Sequence, residues 1–182
     1  MKRIRHTYIQ IDERIALSRL KKSDIPMLVK HINDPIIFDN TLSLPNPYLT
    51  SDGEEYLVQC KEFEHNFGFP NFWVIRYENQ LAGGIGLIFN NNVESHKVEL
   101  GYWIAEPFRE KGLMTKVLDQ LSAYLFEHFH FVRIEAHVFT ENTASIRALE
   151  KAGFQKEGVL RMAFKKGEVY KDSMLFTRIS EL

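Results

Sequence analysis

Cysteine is nearly missing from this chain. Cys60 is the one thiol among 182 residues. A lone cysteine cannot close an intramolecular disulfide or furnish a cysteine-rich zinc site, and both exclusions suit a reducing compartment such as the cytoplasm. Long apolar runs are lacking as well. No stretch approaches the ~20 residues that cross a bilayer as a helix. The basic N-terminus, MKRIRHTYIQIDERIAL, has no continuous apolar core and does not read as a signal peptide. Nor is there an excess of one charge. Lys and Arg number 23 against 24 Asp and Glu, for a formal net charge of −1. No overall positive field is therefore available to draw nucleic acid or an anionic membrane. Repeats, low-complexity tracts and Gly/Ser linkers are absent too. What is present, 45% hydrophobic and 26% charged residues, is the composition of a soluble globular protein long enough for a sizeable core. One domain spanning residues 1–182 is expected.

The punctuation is regular. IALSRL (15–20) reads as a short strand, and Ser23 offers an N-cap for a helix to about Asn33. Residues 33–50, with three prolines, read as a long irregular loop of the kind that often carries function. Ser51 to Glu54 has a capping-box pattern. The following helix places Tyr56, Leu57, Cys60 and Phe63 on roughly one face, so Cys60 reads as a small core residue. Runs 72–77, 81–89 and 97–105 suggest an antiparallel meander, with turns at Glu78–Gln80 and Asn90–Asn92. A helix from about Gly112 to His128 carries an apolar stripe of Leu113, Met114, Val117, Leu118, Leu121, Tyr124 and Leu125. Residues 131–139 alternate as a strand. Asn142 caps a helix that ends at Gly153, and two final strands flank Lys166-Gly167 as a hairpin. The order implies a mixed α/β domain whose second half holds a parallel strand–helix–strand crossover.

The mouth of the helix at 112 carries Arg109-Glu110-Lys111-Gly112. A helix N-terminus combines unpaired amides with the positive end of the macrodipole, which makes an anion site. Gly112 lets backbone approach a ligand closely, and Arg109 and Lys111 add charge that could reach phosphate oxygens. The physical reading is a pyrophosphate cradle; a solvated charge run in a turn is the bland alternative. Neither the P-loop pattern nor a dinucleotide fingerprint is present, because GGIGLI (83–88) lies within a strand and opens no helix. His128 and His130 lack a carboxylate or cysteine to complete a metal set, so no metal is expected. Phe72, Trp73, Tyr102 and Trp103 read as core and pocket wall, and without a basic stripe RNA binding is not expected.

Two blocks carry a family resemblance. Arg109-Glu110-Lys111-Gly112-Leu113-Met114 resembles the Q/R-x-x-G-x-G/A pyrophosphate motif of the GNAT superfamily of acetyl-CoA-dependent N-acetyltransferases, with Met114 where Gly or Ala is usual. ENTASIRALEKAGF (141–154) resembles the N-x-x-S-x-x-x-L-E-K-x-G-F signature of the branch similar to ribosomal-protein N-terminal acetyltransferases, the RimJ/RimL-like group. ELGYWIA (99–105) is also similar to that branch. The resemblance runs from about Ile15 to Ile179. It implies a twisted mixed sheet with helices on both faces. Two parallel strands, 97–105 and 131–139, would splay to admit the pantetheine arm of acetyl-CoA. Backbone around Trp103, Ile104 and Ala105 would bond that arm, and amides from Glu110 to Thr115 (Lys111, Gly112, Leu113 and Met114 between them) would face the pyrophosphate.

Acetyl transfer needs a neutral amine, a stabilised thioester oxygen and a tolerated thiolate. Glu99, on the splayed strand, is the candidate general base; a half-exposed strand carboxylate is the plainer reading. Ser145 is, by resemblance, the candidate acid toward the thiolate, with an ordinary first-turn serine as its alternative. Asn142 would cap its helix and bond the cofactor arm. The acceptor would be a protein N-terminal α-amine or a small amine, drawn into residues 33–50. A non-catalytic acyl-CoA-binding module is the competing class. A dimer is compatible with the sequence but not specified by it.

Overall fold

The computed structural model describes residues 7–89 and 96–181; the turn expected at Asn90–Asn92 lies outside the described residues. In chain order the elements are β1 (Tyr8–Gln10), β2 (Ile15–Ser18), α1 (Ile25–Ile32), α2 (Pro35–Asp39), α3 (Thr50–Phe67), β3 (Phe72–Tyr77), β4 (Gln80–Ile88), β5 (Lys97–Ile104), α4 (Leu113–Phe129), β6 (Arg133–Phe139), α5 (Thr143–Lys151), β7 (Gln155–Lys166) and β8 (Val169–Ile179). The strands form a mixed sheet in the order β1-β2-β3-β4-β5-β6-β8-β7. β5 and β6, joined through α4, are parallel, as the crossover rule requires. The chain divides into two compact units, Met1–Gly86 with Tyr102–Arg109, and Leu87–Gly101 with Glu110–Leu182.

In the first unit β2 and β3 pair antiparallel, and Ile15 to Leu17 and Phe72 to Ile75 are buried in succession, so both faces of these strands are covered. Leu20, Ile25, Leu28, Ile32, Leu57 and Val74 form its apolar cluster, with Tyr56 and Cys60 packed against it. Ile25, Leu28 and Ile32 are one helical stripe of α1. Burial pushes the Cys60 thiol up to about 11, against a hydrogen bond with Tyr56 that works the other way. Cys60 is partly buried and packs against the edge of that cluster, on the helix face that the sequence implied. The start of α1 is anchored by a bidentate pair: Arg76 donates from Nη1 to Asp24 Oδ1 at 2.9 Å and from Nη2 to Oδ2 at 2.6 Å.

Three local expectations are corrected here. The helix expected from Ser23 opens instead with a 3-10 turn, Lys22–Asp24, and α1 begins at Ile25 with Pro26 in its first turn. Residues 33–50 are not wholly irregular, because Asp34-Pro35 starts the short α2. The acid that closes the start of α3 is Asp52, whose Oδ2 accepts from Leu49 N at 2.6 Å. The helix therefore begins at Thr50 rather than after a Ser51 cap.

In the second unit α4 buries Leu113, Met114, Val117, Leu118, Leu121, Ser122 and Leu125. β6 alternates Ile134, Ala136 and Val138 inward. Its other face carries charge. Arg133 donates to Glu135 at 2.6 Å and to both oxygens of Glu157, and Lys97 Nζ reaches Glu135 at 3.0 Å. Glu157 sits in a register shift of β7 between Lys156 and Gly158. The bulge leaves it outside the ladder, where its carboxylate also accepts from Thr177 Oγ1 at 2.8 Å. Burial alone would raise the Glu135 pKa, but Arg133 and Lys97 outweigh it and hold it below the ordinary value.

Acid should weaken this unit in a defined window. The Arg133 and Thr177 hydrogen bonds hold Glu157 at about 2 in the folded chain, against an ordinary 4.5. A depressed carboxylate stabilises fully above its unfolded pKa, and that contribution is lost as pH falls through the folded one. Urea midpoints measured from about pH 5 to about pH 2 should therefore fall more steeply for wild type than for Glu157→Gln. Parallel curves would show that the network contributes nothing.

Candidate active site

The chain reaches the turn at 109–112 from the end of β5. Ala105 is fully buried. Its N–H donates to Ala82 O at 2.9 Å, and its carbonyl accepts from Phe108 N at 2.9 Å. A Cβ placed on Gly83 would stand 2.3 Å from Trp103 O, and one on Gly84 would stand 2.8 Å from Trp103 Nε1. This close approach explains the glycines of GGIG inside a strand. Trp103 O and Ala105 N–H both turn toward β4. Strand alternation then sends the N–H and C=O of Ile104 to the opposite edge. Of the three backbone positions expected to meet the cofactor arm, Ile104 is the one with both groups turned that way.

Residues Glu106–Phe108 make a 3-10 turn. Phe108 is buried, with its ring edge-on to His31 at 6.3 Å and to Tyr77 at 6.1 Å. Arg109 follows, extended, and its Nη2 donates to Asp34 Oδ2 at 2.5 Å. The guanidinium expected to lean toward a phosphate is thus held by a carboxylate of its own unit.

Glu110 and Gly112 then take positive φ of 61° and 71°. Left-handed backbone is costless for Gly112 and strained by about 1–3 kcal/mol for Glu110. Alternating hands in successive residues turn amides toward one concavity, the geometry of an anion nest. Gly112 is the N-cap of α4, and no side chain caps that helix. A Cβ on Gly112 would meet nothing within 4 Å, so the space before the helix is open. Lys111 is exposed beside it. Met114 is buried with the α4 stripe, so its bulk points inward, away from the turn, while its backbone amide stays in the first turn with those of Leu113 and Thr115.

In the same unit, Glu99 lies on β5 in parallel register with Glu135, and the β5–β6 ladder runs only from Lys97↔Arg133 to Glu99↔Glu135. β6 continues to Phe139 beyond the ladder's end. That is the departure of the two strands expected from the resemblance, and Glu99 stands at the last paired position. Asn142 caps α5, its Oδ1 accepting from Ser145 N at 3.1 Å. The Ser145 amide is thereby engaged, and Ser145 is half-buried in the first turn. His128 packs its ring on Tyr124 at 4.3 Å, and His130 ends α4 in a left-handed conformation.

Residues 14–155 match the family described as the acetyltransferase (GNAT) domain. The chain belongs to the GNAT acetyltransferases. Among its relatives, the probable N-acetyltransferase YjcK of Bacillus subtilis (strain 168) is 32% identical over 131 residues, covering 69% of this chain and 70% of that protein. The ribosomal-protein-serine acetyltransferase of Escherichia coli (strain K12) is 24% identical over 174 residues, 94% of this chain and 96% of that one. Among solved structures, the microcin C7 self-immunity acetyltransferase MccE in complex with acetyl-CoA and AMP has a TM-score of 0.84 at 20% identity, over 94% of this chain and 96% of that one. The ribosomal L7/L12 α-N-protein acetyltransferase RimL in complex with coenzyme A scores 0.83 at 20% identity, over 94% and 97%. At those identities the two structures establish the GNAT fold. As a family member the chain is an N-acetyltransferase with acetyl-CoA as cosubstrate.

The open turn makes a specific demand on residue 112. In Gly112→Val a β-branched side chain takes a left-handed backbone and fills the space before the helix. Coenzyme A affinity, measured by calorimetry, should fall at least tenfold, which is about 1.4 kcal/mol. Unchanged affinity would remove the turn from the binding site.

Proposed function

We propose that this acetyltransferase acts on a protein N-terminal α-amine by direct transfer, and that the turn at 109–115 receives the cofactor's pyrophosphate. The carrying observation is the uncapped, glycine-led start of α4, which fits an anion without rearrangement. In this reading the amides of Glu110 to Thr115 meet the phosphates, Lys111 adds charge, and Arg109 holds the entry to the turn. Trp103, Ile104 and Ala105 form the strand end that guides the pantetheine arm, with Ile104 supplying the backbone groups. Asn142 orders the first turn of α5 so that Ser145 faces the thiol end.

Acetyl-CoA supplies an activated acetyl group. The remaining work is positioning and proton transfer by this chain. Glu99 accepts one proton from the acceptor ammonium, directly or through water, leaving the amine lone pair free to attack the acetyl carbon. The C–N bond forms and the C–S bond breaks. The second amine proton ends on the thiolate, which Ser145 Oγ stabilises by donating a hydrogen bond. A thiol with an ordinary pKa near ~8.5 leaves readily, so Ser145 contributes less than Glu99.

The E. coli ribosomal-protein-serine relative, aligned along nearly the whole chain, favours the peptide acceptor. A cytoplasmic setting agrees with the buried thiol of Cys60 and with the lack, among the described residues, of a helix long and apolar enough to cross a membrane.

A panel of N-terminal peptides, polyamines and amino acids, read by mass gain, tests the acceptor. Peptides should gain one acetyl at the α-amine. Turnover confined to small amines would replace the peptide reading, and binding without turnover for all would favour a non-catalytic module. With the true acceptor, Glu99→Gln should lower kcat ~10²–10⁴-fold while coenzyme A affinity holds. Ser145→Ala should lower kcat less. Near-wild-type kcat in both would reject these roles.

A further inference from the structure

Asp34 connects two parts of the molecule that the proposed reaction uses separately. Its Oδ1 accepts from Ile36 N at 2.8 Å and caps α2. Its Oδ2 accepts from Arg109 Nη2 at 2.5 Å. The two side chains are 17% and 26% exposed, so water screens the pair less than it would on an open surface. Pro35 restricts Asp34 to extended backbone, seen at φ −73° and ψ 125°, which places the carboxylate in advance. The segment that Asp34 opens is also clasped at its base. Asn33 Oδ1 accepts from Tyr48 N at 2.9 Å, and Asn33 Nδ2 donates to Tyr48 O at 2.8 Å. Residues 33–48 therefore close on themselves, with Tyr48 buried. A loop whose ends are tied is a compact piece of chain, and Arg109 is held to its start by Asp34.

We propose that Asp34 is a positioning residue that couples cofactor loading to the acceptor segment. Through Arg109 it holds the entry to the pyrophosphate turn against α2, so a cofactor seated on the turn steadies residues 33–48 and raises acceptor affinity. Linkage makes the effect reciprocal: what loosens Asp34 must also weaken the cofactor. This rests on the turn binding the pyrophosphate, as proposed above.

The test uses the full chain with coenzyme A as probe. Asp34→Asn keeps a good helix cap and removes the charge. It should weaken coenzyme A on the order of tenfold, the range for a hydrogen bond to a charged group. Arg109→Gln, which leaves the cap intact, should match it, and the double variant should be no weaker than either single one. Hydrogen exchange supplies a readout that a merely structural role would not move. Coenzyme A should protect residues 35–48 in wild type and fail to do so in either variant at saturating ligand. If Asp34→Asn binds coenzyme A more tightly, Arg109 is a phosphate ligand that Asp34 restrains, and the coupling is wrong. Unchanged affinity with unchanged exchange overturns it equally. In both cases wild-type binding leaves the turn assignment standing. If wild type does not bind coenzyme A, the turn assignment itself fails and the coupling with it.

Discussion

The first turn of any helix leaves amide protons along its axis with no acceptor inside the helix. In α4 no side chain closes that gap, and the rest of the proposed site depends on it. Two left-handed residues, Glu110 and Gly112, lead the chain into the helix. A glycine takes that shape without strain; Glu110 does not. Strain of this kind persists only where its surroundings impose it. Here the surroundings are the buried ring of Phe108 and the engaged guanidinium of Arg109, which fix the chain on the approach.

Two other helices, α2 and α5, meet the same need with a side-chain cap. α2 is capped by Asp34 and α5 by Asn142. Their first amides are partly satisfied, and an anion would have to compete with a carboxylate or a carboxamide oxygen. At α5, Asn142 uses its oxygen on the Ser145 amide, which orders the first turn. β5 divides its work similarly. Near Trp103 it packs so closely on β4 that only glycine fits opposite, while strand alternation turns the backbone groups of Ile104 to the other edge.

Much of this was legible where a periodic pattern had length to declare itself. The α4 stripe from Leu113 to Leu125 and the alternation of β6 are long signals, and both elements stand within two residues of expectation. Asn142 and Gly153 act through local chemistry and so were readable as caps. β1, with three residues, is too short to show a period. α2 was hidden for the same reason, although Asp34-Pro35 is itself a helix-start signal; the prolines downstream read more strongly as loop. At the start of α3, Ser51 lies inside the helix; the cap position is Leu49, whose N–H donates to Asp52, and an apolar residue there gives no cap signal in the sequence. The pairing of Asp34 with Arg109, 75 residues apart, has no local trace at all. The resemblance led to Arg109 as a cofactor residue but could not say where its side chain goes.

That side chain changes the physical account of the charged cluster. Read as a string, Arg109-Glu110-Lys111 places two positive charges and one negative at a helix mouth. In the folded chain Arg109 is already half-neutralised by Asp34, and Glu110 serves the backbone by holding a left-handed turn. Glu110 and Lys111, of opposite charge, are both exposed beside Gly112. The attraction for an anion in the proposed site must then come chiefly from oriented amides and the helix dipole. Amides act at contact distance and demand a particular arrangement of acceptor oxygens, whereas mobile side-chain charge acts at long range and is screened by salt. A cradle built this way selects by shape. In the proposed site that selection would fall on a diphosphate whose oxygens match the amides of the turn, with little help from a chain whose formal net charge is −1.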